Sequence, residues 1–267
     1  MVKSTPAFVS AAAIVFVVAV LILLFAPLII VIAVSVNPGQ FVIFPPQGFG
    51  LRWYGAVLSS EAFRDATIIS LQLAVAVTLT ATLAGASAAI AIHRRQLPGG
   101  QLFGLLFLSP LILPTIVFAL GMLMAWSAVF GQASFAALWI AHSVIAIPYV
   151  LRTTLAVLSE LNPHLEEAAR TMGAGALQRL WLVVVPQIMP GIAAGAFFAF
   201  NISFDEAVLS LFLRTPDLTT LPIQIYNQLE YNTDPTVAAA SALMILVTVA
   251  LIALTDRLVG LQRFAST

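Results

Sequence analysis

Long apolar runs separated by short polar stretches dominate the chain. Six runs are long enough to cross a hydrocarbon core of about 30 Å, which takes about twenty helical residues. They are approximately Phe8–Val36, Thr67–Ile92, Leu102–Phe130, Ala133–Leu158, Gln187–Leu213 and Thr236–Leu258. None alternates with a strand's period of two and no tandem repeat is visible. A membrane interior admits only helices or closed barrels, so the runs predict transmembrane helices. Composition agrees: 61% of the 267 residues are hydrophobic and 8% are charged, against roughly 45–50% apolar content in soluble domains. The first run exceeds the roughly 7–15 apolar residues of a secretory signal, and it reads as a retained span.

Charge excludes several functions and orients the chain. Net charge is zero without a basic patch, so nothing points to nucleic acid as a partner; membrane lipid is the expected surrounding. Without Cys there is no disulfide, thiol nucleophile or thiolate metal site. Lys3 is the only lysine, so no Gly-rich phosphate loop with its Lys exists, and any ATPase must be another chain. An N-terminus inside puts Lys3, Arg94, Arg95, Arg152, Arg170, Arg179, Arg257 and Arg263 on the cytoplasmic side, against Arg52, Arg64 and Arg214 outside. Both termini are then cytoplasmic. In the first external loop, Trp53 and Tyr54 suit an interfacial helix or a contact with an external protein. Pro110, Pro114 and Pro148 predict bends, either lining a pathway or curving for packing.

One polar interruption organises the rest, a cytoplasmic loop at residues 159–186. Asn162-Pro163 is a helix start, with Asn as cap and Pro in the first turn, and Gly173 is a stop about three turns later. A short helix therefore projects from the membrane, carrying Glu166, Glu167, Ala168, Ala169 and Arg170, with Gly173 and Ala174 at its end. Glu167-Ala168-Ala169, then Gly173, then Pro186 and Pro190-Gly191-Ile192, resembles the EAA loop of ABC importer permeases. Val185 stands where that family usually has Leu, an apolar exchange. The resemblance implies that Glu166–Ala174 is a coupling helix seated in a groove of an ATP-hydrolysing subunit.

A second polar stretch, Asn201-Ile202-Ser203-Phe204-Asp205-Glu206, lies inside the fifth apolar run. Two carboxylates at mid-membrane would cost about 5–7 kcal/mol on the insertion scale, which demands a function or a water-filled cavity. Asn201 and Asp205, four apart, share a helix face, whereas Asp205 and Glu206 diverge by about 100°. Two readings are open. In one, Asp205 and Asn201 face a translocation path with Glu206 at its border; in the other, the helix breaks and the acids become caps or partners of Arg214. Trp139 and His142 on the fourth run are further pathway candidates, although a buried His bonded to a neighbouring helix is the commoner case. No second His stands at ligand spacing, so no metal is assigned, and no catalytic constellation is evident.

Ser203-Phe204-Asp205-Glu206, Thr220-Leu221-Pro222, Phe44-Pro45-Pro46 and Gly50-Leu51-Arg52-Trp53-Tyr54 are similar to the spermidine/putrescine (PotC-type) permeases. Related permeases for amino acids, opines or aminophosphonates share several of these motifs. The resemblance implies an all-α membrane protein, one six-span domain of the type I ABC importer (MetI-like) fold over residues 1–267, in a bacterial inner membrane. It also implies a PotB-like second permease, two PotA-like ATP-binding subunits carrying ATP and Mg, and a PotD-like external binding protein. No cofactor is expected in this chain. Carboxylates and aromatic faces are the groups a flexible polycation needs. An intramembrane enzyme and a partner-independent channel are the rival classes; neither needs a docking helix.

Overall fold

A computed structural model of the chain describes residues 7–94, 100–232 and 234–259. Lys3, Arg95 and Arg263, three of the orienting cations, lie outside the described residues. The helices are α1 (Ala7–Ser35), α2 (Arg52–Ser59), α3 (Glu61–His93), α4 (Gly100–Leu108), α5 (Thr115–Phe130), α6 (Phe135–Glu160), α7 (Pro163–Thr171), α8 (Ala176–Arg179), α9 (Val185–Asp205), α10 (Ala207–Leu213), α11 (Leu221–Tyr231) and α12 (Thr236–Val259). Five helical stretches are long and apolar enough to cross a membrane, or six if one bent pair counts as a single span. The chain forms two compact units, one of residues up to Glu61 with Ile225–Leu246, the other of Ala62–Gln224 with the chain from Val247 onward.

In the first unit α1 is apolar on all sides, and no residue of its most apolar stretch is buried among the described residues. The loop after it is built on Asn37, which is fully buried. Its Oδ1 accepts from the Gln47 and Gly39 N–H groups at 3.2 and 3.4 Å, and its Nδ2 donates to the Phe41 carbonyl at 3.2 Å. Trp53 Nε1 donates to the carbonyls of Asn37 and Gly39, both at 3.0 Å, and Tyr54 OH pairs with Ser35 Oγ at 2.7 Å. Trp53 is thus a buried brace of this loop, with its indole N–H already committed.

The second unit is built around α6. Leu138, Ala141, Ile145, Ala146 and Val150 of α6 are buried against Leu73 and Val77 of α3, Ala119 of α5, Ala199 of α9, and Leu209 and Leu213 of α10. Glycine allows the closest approaches. A Cβ added to Gly85 of α3 would lie 2.8 Å from Val150 Cβ; one on Gly191 of α9 would lie 2.8 Å from the Thr153 carbonyl oxygen; one on Gly195 would lie 2.7 Å from Val150 Cα. Helices α3 and α9 therefore meet α6 almost backbone to backbone, the contact that small residues permit inside membranes. The Leu221 N–H donates to Ser70 Oγ at 2.7 Å, holding the start of α11 to α3.

Two spans differ from their sequence expectation. The third is not one rod: its first half ends in a 3-10 turn, Ser109–Leu111, and meets α5 at 105° across residues 112–114. Pro110 and Pro114 lack N–H groups, and a proline drives the residue before it out of the helical region. Helix α5 then starts afresh, with the Pro114 carbonyl accepting from the Val117 and Phe118 N–H groups at 2.9 and 3.2 Å. The fifth span begins at Ala176 rather than Gln187, because α8, a π turn (Leu180–Val184) and α9 form one stretch of 30 residues. Pro186 would break a regular helix. Here the wider turn precedes it, and Gln187 Nε2 donates to the Val183 carbonyl at 2.6 Å. The same span ends at Asp205, eight residues short of the expected Leu213.

Candidate functional site

The projecting helix α7 forms as its end signals require. The Asn162 side chain accepts from the His164 N–H at 3.0 Å, and Pro163 occupies the first turn. Gly173 has φ +90°, with its N–H on the Arg170 carbonyl and the Ala174 N–H on the Ala169 carbonyl, each at 3.0 Å. This is the paired closure that a left-handed residue provides at a helix end.

The two glutamates of α7 do different things. Glu166 faces inward, and its Oε1 accepts from an Arg94 guanidinium nitrogen at 2.8 Å and lies 3.5 Å from Arg179 Nε. Arg179 also donates to the Ala174 carbonyl at 2.8 Å. Glu166 thereby ties α7 to the end of α3 and to α8. Glu167 is exposed, and among the described residues it pairs along its own helix with His164 Nδ1 at 3.2 Å. Ala168 and Arg170 are exposed beside it, and Ala169 is buried beneath. Met172 and Leu177, 82% and 68% exposed, extend this surface with apolar side chains. A cleft of ≈ 310 Å³ runs behind the helix, lined by Arg94, Glu166, Glu167, Arg170, Arg179 and Gln187 among others.

The second candidate region lies at the far end of α9. That helix stops at Asp205, and Glu206 takes an extended conformation. Glu206 Oε1 accepts from the Val208 and Leu209 N–H groups at 2.8 and 3.2 Å, capping α10. The helix therefore breaks, as the second sequence reading had it, yet both acids still border a cleft. This cleft, of ≈ 370 Å³, is lined by Tyr149, Asn201, Ile202, Asp205, Glu206 and Thr248. Asn201 and Asp205 share its wall as their spacing predicts, and Asp205 is exposed to it. Among the described residues its lining holds two carboxylates and no Lys, Arg or His, so it offers negative charge, an amide, two hydroxyls and one aromatic face. Tyr149 and Thr248 come from α6 and α12, elements distant in sequence.

Trp139 and His142 are not brought to this cleft. Trp139 Nε1 donates to Thr80 Oγ1 of α3 at 3.0 Å. His142 is fully buried, with Nδ1 3.1 Å from Ser203 Oγ and Nε2 3.4 Å from Ser210 Oγ. Among the described residues no group of three or more His, Asp or Glu could hold a metal ion.

A family model described as the binding-protein-dependent transport system inner membrane component matches residues 81–263, a range that contains both regions. The chain is 29% identical to the putrescine transport system permease protein PotI of Escherichia coli (strain K12) over 229 residues, covering 83% of this chain and 81% of that protein. It is also 29% identical to the spermidine/putrescine transport system permease protein PotC of the same strain over 237 residues, covering 89% of each. Among solved structures, a chain of a bacterial ABC transporter involved in the import of the acidic polysaccharide alginate shares the fold. Its TM-score is 0.70 at 17% identity, covering 96% of this chain and 98% of that one.

Proposed function

The chain belongs to the binding-protein-dependent transport system inner membrane component family and is a permease subunit of an ABC importer; from that membership we propose that its solute is a polyamine, putrescine or spermidine. The observation that carries this reading is the cleft with Asp205 and Glu206 in its wall and no cation among its described lining residues. A diamine or triamine brings the missing charge, and the Tyr149 ring offers an aromatic face to an ammonium group. Relatives at 29% identity whose names specify putrescine and spermidine support the same solute class.

In this reading α7 docks on a separate ATP-hydrolysing subunit that holds ATP and Mg, through Glu167, Ala168, Arg170 and the exposed Met172 and Leu177. Both termini are cytoplasmic, which places α7 on the ATPase side. A second permease completes the pathway, and an external binding protein delivers the solute. ATP-driven closure moves α7 and switches the pathway between inward and outward access.

The test is ATPase activity and uptake by the complete complex with its binding protein, across putrescine, spermidine, amino acids and aminophosphonates, repeated with Asp205→Asn. Stimulation by a polyamine, weakened at least tenfold in half-saturating concentration by Asp205→Asn, is the expected result. Stimulation by an anionic or zwitterionic solute alone would refute the polyamine assignment and leave the importer standing.

A further inference from the structure

The break between α9 and α10 is made by side chains rather than by the backbone. Sharp bends come from proline, from glycine or serine pairs, from π turns, or from a side chain inserted into the hydrogen-bond ladder. Between Asn201 and Leu213 there is neither Pro nor Gly, and residues 207–213 resume a helix at once. What the segment does hold is polar side chains. Glu206 takes the N–H groups of Val208 and Leu209, and Ser210 Oγ donates to the Glu206 carbonyl at 2.9 Å. Behind them stands His142 of α6, bonded to Ser203 before the break and to Ser210 after it.

The Ser210 hydroxyl donates to the Glu206 carbonyl, which leaves its lone pairs facing the imidazole, and the Ser203 hydroxyl meets the other ring nitrogen as donor or acceptor according to the tautomer. All three side chains are buried, at 0%, 4% and 1% exposure, in a shell that includes Leu138, Ala141, Ile145 and Leu209. Polar groups in such a shell are costly unless each finds its partner. One imidazole ring, with contacts of 3.1 and 3.4 Å, joins a serine on each side of the break, so the end of α9 and the start of α10 are tied to α6 through a single side chain.

We infer that His142 is a positioning residue for the cleft: by bridging Ser203 and Ser210 it holds the α9–α10 break, and so sets where the Asp205 and Glu206 carboxylates stand. The inference rests on the reading of that cleft as the solute site for its second measurement only. The first measurement needs no solute. It is backbone amide exchange of residues 206–210 in the complete complex in nanodiscs, for wild type, His142→Leu, His142→Gln and the double variant Ser203→Ala/Ser210→Ala. His142→Leu and the double variant are expected to exchange at least tenfold faster at Val208 and Leu209. His142→Gln, whose amide can donate to one serine and accept from the other, restores slow exchange.

The second measurement is putrescine-stimulated ATPase activity. His142→Leu is expected to raise the half-saturating putrescine concentration at least tenfold while the maximal stimulated rate changes less than twofold, again with rescue by Gln. A histidine that only filled the core would move neither exchange nor half-saturation selectively. Wild-type exchange in His142→Leu overturns the inference, as does equal damage by Leu and Gln. If His142→Leu does not insert, the double serine variant decides. If putrescine fails to stimulate the wild type, the polyamine reading falls and the exchange result still decides the role of His142.

Discussion

Replacing Gly195 by alanine adds one methyl group where α9 crosses α6. The new Cβ would lie 2.5 Å from Thr153 Oγ1 and 2.7 Å from Val150 Cα. The hydroxyl belongs to a side chain held by bonds to the Tyr149 and Val150 carbonyls at 3.0 and 3.1 Å, and the Cα is backbone, so neither gives way cheaply. The helices must separate by about 1 Å to restore ordinary contact distances. Overpacking of this kind costs about 1–3 kcal/mol, against a gain of up to about 1 kcal/mol from the better helix propensity of alanine. The net expectation is a loss of about 1–2 kcal/mol, which at about 2–4 °C per kcal/mol lowers the melting midpoint by about 2–8 °C. The control is Gly121→Ala on α5, where an added Cβ meets nothing within 4 Å and stability should hold or rise. Thermal unfolding of both variants in one detergent, followed by tryptophan fluorescence, makes the comparison. Equal midpoints for the two variants, or a Gly195→Ala midpoint at or above wild type, would refute backbone-to-backbone contact as the reason for glycine at this position.

Two further changes separate the parts of the projecting helix. Gly173→Val places a β-branched residue at φ +90°, costing at least about 1–2 kcal/mol locally without any steric clash from neighbours. It and Glu167→Lys are expected to abolish solute uptake while the chain still inserts and assembles; normal uptake per ATP hydrolysed in either variant contradicts the docking role. Glu166→Gln weakens the tie to Arg94 and Arg179, so limited proteolysis within residues 162–179 should speed up several-fold, and cleavage at the wild-type rate shows that the tie holds nothing.

The ends of α7 were legible because Asn162, Pro163 and Gly173 act through their own backbone and nearest neighbours. The Asn201–Asp205 face was legible for the same reason, since a four-residue spacing fixes it. The bends were visible only as positions: Pro110 and Pro114 dictate local dihedral angles, and the 105° between the two halves depends on what the helices pack against. The early start of the fifth span was hidden by Pro186, which reads as a breaker until a π turn accommodates it. Pairings across long stretches of sequence left no local trace. Arg94 is 72 residues from Glu166, and His142 is 61 and 68 residues from its two serines. Trp53 read as interfacial because its type suggests it, while its indole N–H was already claimed by a loop folded around Asn37.

The stretch from Ala176 to Asp205 can be weighed as a balance beam. One end is joined through Arg179 and Glu166 to α7, and the other end carries Asn201 and Asp205. Its tightest bearing, Gly191 and Gly195 against α6, lies between them. At 1.5 Å per residue the arm from Ala176 to Gly191 is about 22 Å and the arm from Gly195 to Asp205 about 15 Å. A tilt about this fulcrum would swing the two ends in opposite directions, with the acid end travelling about two thirds as far as the end joined to α7. Displacement would be scaled down along the beam and force scaled up, so a stroke applied at α7 would arrive shorter and stronger at the carboxylates.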